Sequence, residues 1–250
     1  MLVMIVAFSL IGSLGALIGA GALFAFPSLH VRLKMPLLAY AVGTLLGGAF
    51  IGLLPNAIEH GDAKTVLLTT LAGIIAFFLL EKILHLPHVH SQAEDHPVIH
   101  PAGSMILVGD AFHNFVDGVV IATAFLISTP LGAITALAVV AHEIPQELGD
   151  FTILIHSGWE RRRAYWMNFL SATTAIPGAL IAYGARGFIQ PYLPFLLAIS
   201  ASSFLYIAMT DIAPILHHEV EPRKSALQVI CLLFGIATMM LLHQLFARIG

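Results

Sequence analysis

Two polar clusters interrupt apolar stretches of the sequence, and both combine imidazole, amide and carboxylate side chains. The first cluster occupies about two helical turns and consists of Asp110, His113, Asn114 and Asp117. The second is of similar length and consists of His142, Glu143, Gln146, Glu147 and Asp150. Nitrogen and oxygen ligands of these types suit Zn²⁺, Fe²⁺ or Mn²⁺, whereas Na⁺ or K⁺ would not need histidine. The clusters therefore predict a transition-metal site.

Helical geometry places each cluster on one face. At 100° per residue, the first cluster falls within an arc of about 100° and the second within about 140°. The pairs His113/Asp117 and His142/Gln146 are spaced i, i+4 and could close around one ion. The residue after each histidine, an asparagine and a glutamate, offers a second, oxygen-richer position. The two faces are predicted to meet each other or a wet cavity.

The acidic residues of these stretches raise the question of charge. Six carboxylates lie within the apolar stretches 105–128, 131–156 and 194–216: Asp110, Asp117, Glu143, Glu147, Asp150 and Asp211. Each costs about 2.5–3.5 kcal/mol at the centre of a bilayer, or roughly 15–20 kcal/mol together if charged and unpaired. No lysine or arginine lies in the same stretches, so either some are protonated or a mobile cation supplies the positive charge. Four of them are expected to serve as accessory or pathway groups: Asp110, Glu147, Asp150 and Asp211.

Composition explains why these polar faces are exceptional. The chain has 250 residues, of which 58% are hydrophobic and 10% charged, and its net charge of -3 comes without a basic patch. The absence of a basic patch excludes a nucleic-acid partner, and the high hydrophobic content excludes disorder. An internal disulfide is excluded because Cys231 is the only cysteine. Eight apolar stretches are long enough to span a bilayer: 2–26, 37–58, 65–84, 105–128, 131–156, 165–188, 194–216 and 226–246. We therefore predict one all-α integral membrane domain, 1–250, built as a bundle of eight transmembrane helices.

The basic residues predict the orientation of this bundle. One set of loops carries most of the lysines and arginines: Arg32, Lys34, Lys82, Arg161, Arg162, Arg163, Arg223 and Lys224. The opposite side carries Lys64, Arg186 and Arg248. The positive-inside rule then places both termini outside the cytoplasm. We expect a multi-pass protein of the cell (inner) membrane.

A histidine-rich loop, 85–104, follows the third stretch and is cytoplasmic on this topology. It contains five histidines: His85, His88, His90, His96 and His100. With Glu94 and Asp95 nearby, this composition favours contact with a divalent metal, and the alternative is a solvated polar linker.

Within the helices, Pro145, Pro177 and Pro214 each remove a backbone hydrogen bond and predict irregular backbone along a pathway.

Four segments of the sequence resemble the ZIP (ZRT/IRT-like) family of divalent-metal transporters. They are His113-Asn114-Phe-Val-Asp117-Gly118, His142-Glu143-Ile-Pro145-Gln146-Glu147-Leu-Gly149-Asp150-Phe, Asn168-Phe-Leu-Ser-Ala and Tyr206-Ile-Ala-Met-Thr-Asp211. The second segment is similar to the branch with an HExPHExGDF signature. The resemblance implies passive or elevator-type uptake of Zn²⁺, with Fe²⁺, Mn²⁺ or Cd²⁺ as further substrates, toward the cytoplasm. It also implies five transport-site ligands: His113, Asn114, Asp117, His142 and Glu143.

The sequence departs from the family pattern at three places. Gln146 stands where this branch usually has histidine, which weakens one ligand. Ile176 stands where other branches have a glutamate, so a bridging carboxylate is missing. Residues 47–56 resemble the GDAFxHLLPE pattern of the second span without its Asp, His and Glu.

Two other functions compete with metal transport. An intramembrane zinc hydrolase would use an HExxH motif, but Gln146 replaces the second histidine ligand. A proton- or sodium-coupled transporter of another solute would explain the carboxylates but not the histidines. We predict a transporter and not an enzyme, with no catalytic cofactor. Its partners are the divalent ion and the lipid bilayer, and the glycine-rich apolar helices are compatible with a homodimer.

Overall fold

The computed structural model describes residues 1–25, 27–84 and 102–247. For some residues inside the helices, among them Pro145 and Asp211, it describes the backbone but not the side chain. The regular structure of the described ranges is entirely helical. The five histidines predicted to contact metal in the loop lie outside these ranges: His85, His88, His90, His96 and His100.

The described ranges contain thirteen α-helices. They are α1 (Leu2–Leu10), α2 (Ala16–Ala25), α3 (Pro27–Gly47), α4 (Leu54–His60), α5 (Ala63–Leu84), α6 (Ala102–Ile127), α7 (Thr129–His156), α8 (Arg161–Ala172), α9 (Ala175–Gly184), α10 (Arg186–Ile189), α11 (Leu193–Tyr206), α12 (Ala213–His217) and α13 (Pro222–Ala247). Three π-helical segments continue α1 into α2, α3 into α4 and α11 into α12: Ile11–Gly15, Gly48–Leu53 and Ile207–Ile212.

Six helical stretches of the described chain are long and apolar enough to cross a bilayer. They are Leu2–Gly19, Arg32–His60, Ala63–Leu80, Leu107–Ile127, Arg186–His217 and Pro222–Leu245. The two further stretches expected from the sequence correspond to α7 and to the α8–α9 pair. The helix α7 is long but carries the second polar cluster, while α8 and α9 have only 12 and 10 residues.

Prolines account for two of the irregular places in the helices. Pro55 and Pro214 each lie two residues after the end of a π-helical segment, at the second residue of α4 and of α12. Proline has no N–H and its ring crowds the carbonyl four residues earlier, so the preceding turn widens. The helix α7, in contrast, runs without interruption through position 145. The expectation of irregular backbone at Pro145 was therefore wrong.

The chain also breaks between α8 and α9, three residues before Pro177. Because Pro177 has no amide hydrogen, it cannot donate to the carbonyl of Thr173. The amide of Ile176 donates to that carbonyl instead, at 3.1 Å. The hydroxyl of Thr174 donates to the carbonyl of Ala111 at 2.5 Å and so ties this break to α6.

The basic residues near the second stretch lie differently from expectation. The sequence placed Arg32 and Lys34 in a loop, but both lie within α3, which already begins at Pro27. Both side chains are exposed. A helix of 21 residues continuing into a π segment is longer than the bilayer requires, so its first turns can project into the headgroup region.

The inner helices of the bundle carry the polar clusters, and the outer helices are exposed. In an apolar 18-residue window of the stretch Arg32–His60, 72% of the residues are buried, compared with 17% in the corresponding windows of Ala63–Leu80 and Pro222–Leu245. The helix α13 packs on α3, α5 on α11, and both α7 and α9 on α6. The exposed side chains of α5 and α13 are largely apolar, as expected for surfaces that face lipid.

Glycines permit the closest helix contact beside the first polar cluster. A Cβ atom at Gly118 of α6 would overlap the carbonyl oxygen of Ala175, and one at Gly178 of α9 would overlap that of Phe115. The two backbones therefore touch directly, which is how small residues drive helix association in membranes. This contact fixes the position of α6 relative to α9 at Gly118, one residue after Asp117.

The turn after α7 brings α8 back alongside it. Gly158 has φ 84°, and its amide donates to Ile155 while the amide of Trp159 donates to Leu154, both at 3.1 Å. This is a Schellman motif, in which glycine adopts the left-handed conformation at low cost. The guanidinium of Arg163 lies 4.5 Å from the ring of Trp159. The reversal returns the chain so that α8 packs against the end of α7.

Candidate metal centre

The polar residues of α6 and α7 face each other inside the bundle. Asp117, His142 and Glu143 are almost completely buried, with at most 1% of each side chain exposed, while His113 is 16% exposed. The ring of Phe204 from α11 packs edge-on against His142 with centroids 5.9 Å apart. The meeting of two polar faces that the sequence predicted is therefore present.

Four ligand-type side chains converge on one point. The Nε2 atoms of His113 and His142 are 3.2 Å apart. The Nε2 atom of His113 lies 3.2 Å from Oε1 of Glu143, and that of His142 lies 3.2 Å from Oδ2 of Asp117. The crossed pairs, His113 with Asp117 and His142 with Glu143, are separated by 3.8 and 3.6 Å.

These distances match those between ligands of a tetrahedral metal. With metal–ligand bonds of about 2.0–2.1 Å, neighbouring ligand atoms of a tetrahedral Zn²⁺ site lie about 3.3–3.4 Å apart. The observed separations of 3.2–3.8 Å bracket this value. Two imidazoles and two carboxylates also match the donor types that Zn²⁺ accepts. The side chains fit a divalent transition metal with little rearrangement.

Hydrogen bonding orients one of the imidazoles for this task. The Nδ1 atom of His142 lies 3.0 Å from the carbonyl oxygen of Ala138 and must donate to it, because a carbonyl only accepts. The Nε2 atom then carries the lone pair and faces the other three side chains. Metal-binding histidines are commonly oriented through the second nitrogen in this way.

The carboxylates are left in need of positive charge. Both oxygens of Asp117 and both of Glu143 are buried and accept no hydrogen bond of good geometry within the described part of the chain. Uncompensated buried carboxylates are costly, and coordination of a cation is one of the few ways to satisfy them. The site therefore has the charge and the open oxygens of a cation-binding site.

The remaining predicted residues lie around this quartet. Asn114 is buried and donates through Nδ2 to Oδ1 of Asp110 at 2.9 Å, and Glu147 is also buried. Gln146 and Asp150 are partly exposed on α7. The side chain of Asp211 lies outside the part of the chain that the structure describes.

Asn168 of α8 is a site residue that the sequence reasoning did not assign. It is completely buried and donates through Nδ2 to Oε2 of Glu147, across the turn at Gly158. Its signal in the sequence was an amide in an otherwise apolar or small-residue stretch, within the segment that resembles the ZIP family. Its partner could not be identified from the sequence, because the contact depends on how the chain reverses.

Comparison with known proteins identifies the family of this chain. The family described as "ZIP Zinc transporter" matches residues 88–243, which include both polar clusters. The zinc transporter ZIP13 of Pongo abelii is 30% identical over 263 residues, covering 93% of this chain and 77% of that protein. ZIP13 of Mus musculus is 30% identical, covering 94% and 79%. The human zinc transporter ZIP4 is 30% identical over 74% of this chain and 39% of its own length.

The two ZIP13 matches extend over nearly the whole chain. The relatives are named as transporters, not as enzymes. Together with the six apolar helical stretches, they establish a multi-pass membrane protein. The chain belongs to the ZIP zinc transporter family.

Proposed function

We propose that this protein carries Zn²⁺ across the membrane toward the cytoplasm. The ion binds between α6 and α7 at a site composed of His113, Asn114, Asp117, His142, Glu143 and Gln146. The observation that carries the proposal is the buried quartet of two imidazoles and two carboxylates at tetrahedral spacing, on helices within the membrane domain. A catalytic zinc site keeps one of its four positions open for water, whereas this quartet can fill all four, and the family relatives are named as zinc transporters.

The division of ligands between two helices suits transport. Each helix supplies one histidine and one carboxylate to the quartet, so a small displacement of α6 relative to α7 separates two ligands from the other two. Zn²⁺ has no geometric preference from its d electrons and tolerates such a change of coordination. His113 is the most exposed of the four, with 16% of its side chain accessible.

Gln146 keeps the site from holding the ion too firmly. It lies one helical turn after His142 on the same face of α7, where an amide oxygen is a weaker ligand than imidazole. Release from a carrier requires binding that is strong enough to capture the ion but weak enough to let it leave. The same donor set accepts Fe²⁺, Mn²⁺ and Cd²⁺ as competing substrates.

The topology we propose has eight spans and both termini outside the cytoplasm. The helix α7 and the α8–α9 pair complete the six apolar stretches, with the acidic face of α7 turned inward and neutralised by the ion. The arginines 161–163 then lie at the cytoplasmic surface, where the positive-inside rule places them. We place the protein in the cell (inner) membrane. A homodimer through the apolar outer helices completes the proposal, and its mass in nanodiscs tests it.

The experiment is uptake of Zn²⁺ into proteoliposomes containing the purified protein. We expect saturable uptake that requires neither a sodium gradient nor proteolysis and that Fe²⁺, Mn²⁺ and Cd²⁺ inhibit in competition. Asp117→Ala should abolish uptake, while Glu160→Gln, an exposed carboxylate before α8, should not change it. Wild-type protein that gives no more uptake than empty liposomes refutes the proposed function.

A further inference from the structure

The outer helix α13 and its neighbour α3 run parallel and approach each other most closely at glycines. A Cβ atom at Gly43 would lie only 3.1 Å from the Cα atom of Gly235, and one at Gly47 would lie 2.8 Å from the Cβ atom of Met239. Because Met239 follows Gly235 by four residues, just as Gly47 follows Gly43, the two helices advance in the same direction. Their first residues therefore lie at the same side of the membrane.

The register of this contact places two cations at the start of the helix pair. Arg32 precedes Gly43 by eleven residues, and Lys224 precedes Gly235 by eleven residues. Eleven residues span about three helical turns, or roughly 16 Å, and return to within about 20° of the same face. Both basic residues therefore lie on the faces along which α3 and α13 pack, and both are exposed.

Positive charge exceeds negative charge at this end of the two helices. Four cations lie near two carboxylates: Arg32, Lys34, Arg223 and Lys224, with Glu219 and Glu221. Both carboxylates pair with Lys224, at 2.7 Å from Glu221 and 3.9 Å from Glu219. Within the described ranges, no carboxylate lies within ion-pair distance of Arg32 or Arg223. Two exposed guanidinium groups are thus available to an external anion.

A buried amide lies just inside this end of the helix pair. Gln228 follows Lys224 by one helical turn on the same face of α13, and it is 8% exposed. Its Nε2 atom is buried and donates no hydrogen bond within the part of the chain that the structure describes. The matching position of α3 is Pro36, which has no polar side chain. Because side chains of a helix tilt toward its first residue, this donor is directed toward the basic end.

We propose that the starts of α3 and α13 bind the headgroup phosphate of one anionic phospholipid. Guanidinium groups of Arg32 and Arg223 pair with the phosphate oxygens, whose geometry they match, and Nε2 of Gln228 donates to one of them. The acyl chains lie along the exposed apolar ridge of α13 that follows: Leu227, Ile230 and Phe234. This ridge favours a lipid over a free anion. On the proposed topology the lipid belongs to the cytoplasmic leaflet, where anionic lipids attract basic residues.

Native mass spectrometry of the purified, full-length protein tests this site with two lipids that share the same acyl chains. One dioleoylphosphatidylglycerol per protomer should be retained about 10–30-fold more tightly than dioleoylphosphatidylcholine. Arg32→Ala with Arg223→Ala should weaken this retention by about 30-fold. Arg161→Ala with Arg162→Ala, which removes the same charge at the start of α8, should not change it. Gln228→Leu should weaken it by about 10-fold and raise thermal stability in neutral detergent, because a buried donor without a partner is removed.

Several outcomes would contradict the lipid site. Equal retention of the two lipids refutes an anion site. An equal loss in the α8 control shows attraction by surface charge alone and also refutes it, as does a Gln228→Leu variant with wild-type affinity for the anionic lipid. Displacement of the lipid by inorganic phosphate at matched ionic strength makes a free anion the ligand and overturns the lipid assignment. The site goes beyond the transport proposed above, and because these readouts need no Zn²⁺ flux, failure of that proposal leaves it standing.

Discussion

Removal of the His142 imidazole is the sharpest perturbation of the histidine site. This side chain is completely buried, its Nδ1 donates to Ala138, and its Nε2 lies 3.2 Å both from the other imidazole and from Asp117. His142→Ala deletes one of four ligands and leaves a cavity next to Phe204. The ion would then be held by the two carboxylates and one imidazole.

The size of the effect follows from the number of ligands. Four-ligand zinc sites in small proteins bind with about 10–16 kcal/mol, or roughly 2.5–4 kcal/mol per ligand. At about 1.4 kcal/mol per tenfold change, His142→Ala should weaken Zn²⁺ binding by about 10²–10³-fold. Uptake at low Zn²⁺ concentration should fall in proportion.

Competition with a fluorescent zinc chelator measures this affinity on purified protein. His60→Ala is a matched control, because His60 makes the same Nδ1 contact to a carbonyl four residues earlier, at 2.8 Å, but is exposed at the end of α4. It should leave the affinity unchanged. A properly folded His142→Ala protein with wild-type affinity would refute the assignment of the quartet as the zinc site.

Four further predictions concern selectivity, regulation, packing and pH. Gln146→His should tighten Zn²⁺ binding and slow turnover, and unchanged affinity by calorimetry would remove Gln146 from the set of ligands. Alanine should replace all five loop histidines together: His85, His88, His90, His96 and His100. This variant should preserve basal uptake and alter the response of uptake to metal, whereas loss of all uptake would place the loop in the transport path. Gly178→Ala should destabilise the protein by about 1–3 kcal/mol through overlap with α6, and thermal unfolding should show no such loss for Gly184→Ala, where a Cβ meets nothing within 4 Å. Asp62 accepts hydrogen bonds from the amide and hydroxyl of Thr65 at the start of α5, and these bonds lower the pKa of its carboxyl from 3.8. They should stabilise the first turn of α5 at neutral pH, and this stabilisation should disappear as the pH falls through the lowered pKa. Hydrogen exchange of α5 that does not change in acid would contradict this prediction.

The faces of α6 and α7 could be predicted from sequence because helical periodicity is a local property. His113 and Asp117 are one turn apart on any α-helix, and so are His142 and Gln146. Their isolation among apolar residues indicates that the two faces must meet. The exact partners could not be predicted: Glu143, expected in a second position, lies beside His113 in the quartet.

The breaks in the helices were harder to predict, because proline alone does not determine how the backbone responds. Near Pro214 the chain widens into a π segment, near Pro177 it breaks, and at Pro145 the helix continues. Which response occurs depends on whether neighbouring groups, such as the Thr174 hydroxyl, satisfy the freed backbone. These neighbours come from tertiary packing.

Tertiary packing also explains why Asn168 escaped assignment. Its contact with Glu147 requires the reversal at Gly158. The glycine signals a turn in the sequence, but the register of α8 against α7 depends on side-chain packing along both helices. An isolated buried amide in a membrane helix is nevertheless a recognisable sign of a functional partner.

X-ray absorption at the zinc edge tests the central claim most directly, that Zn²⁺ is held by the quartet of His113, Asp117, His142 and Glu143. The protein would be loaded with about half an equivalent of Zn²⁺, so that only the tightest site fills. We predict two imidazole nitrogens and two oxygens at about 2.0–2.1 Å, and loss of the imidazole signal in the His113→Ala/His142→Ala variant. A spectrum without imidazole, or one that this variant leaves unchanged, would contradict the account.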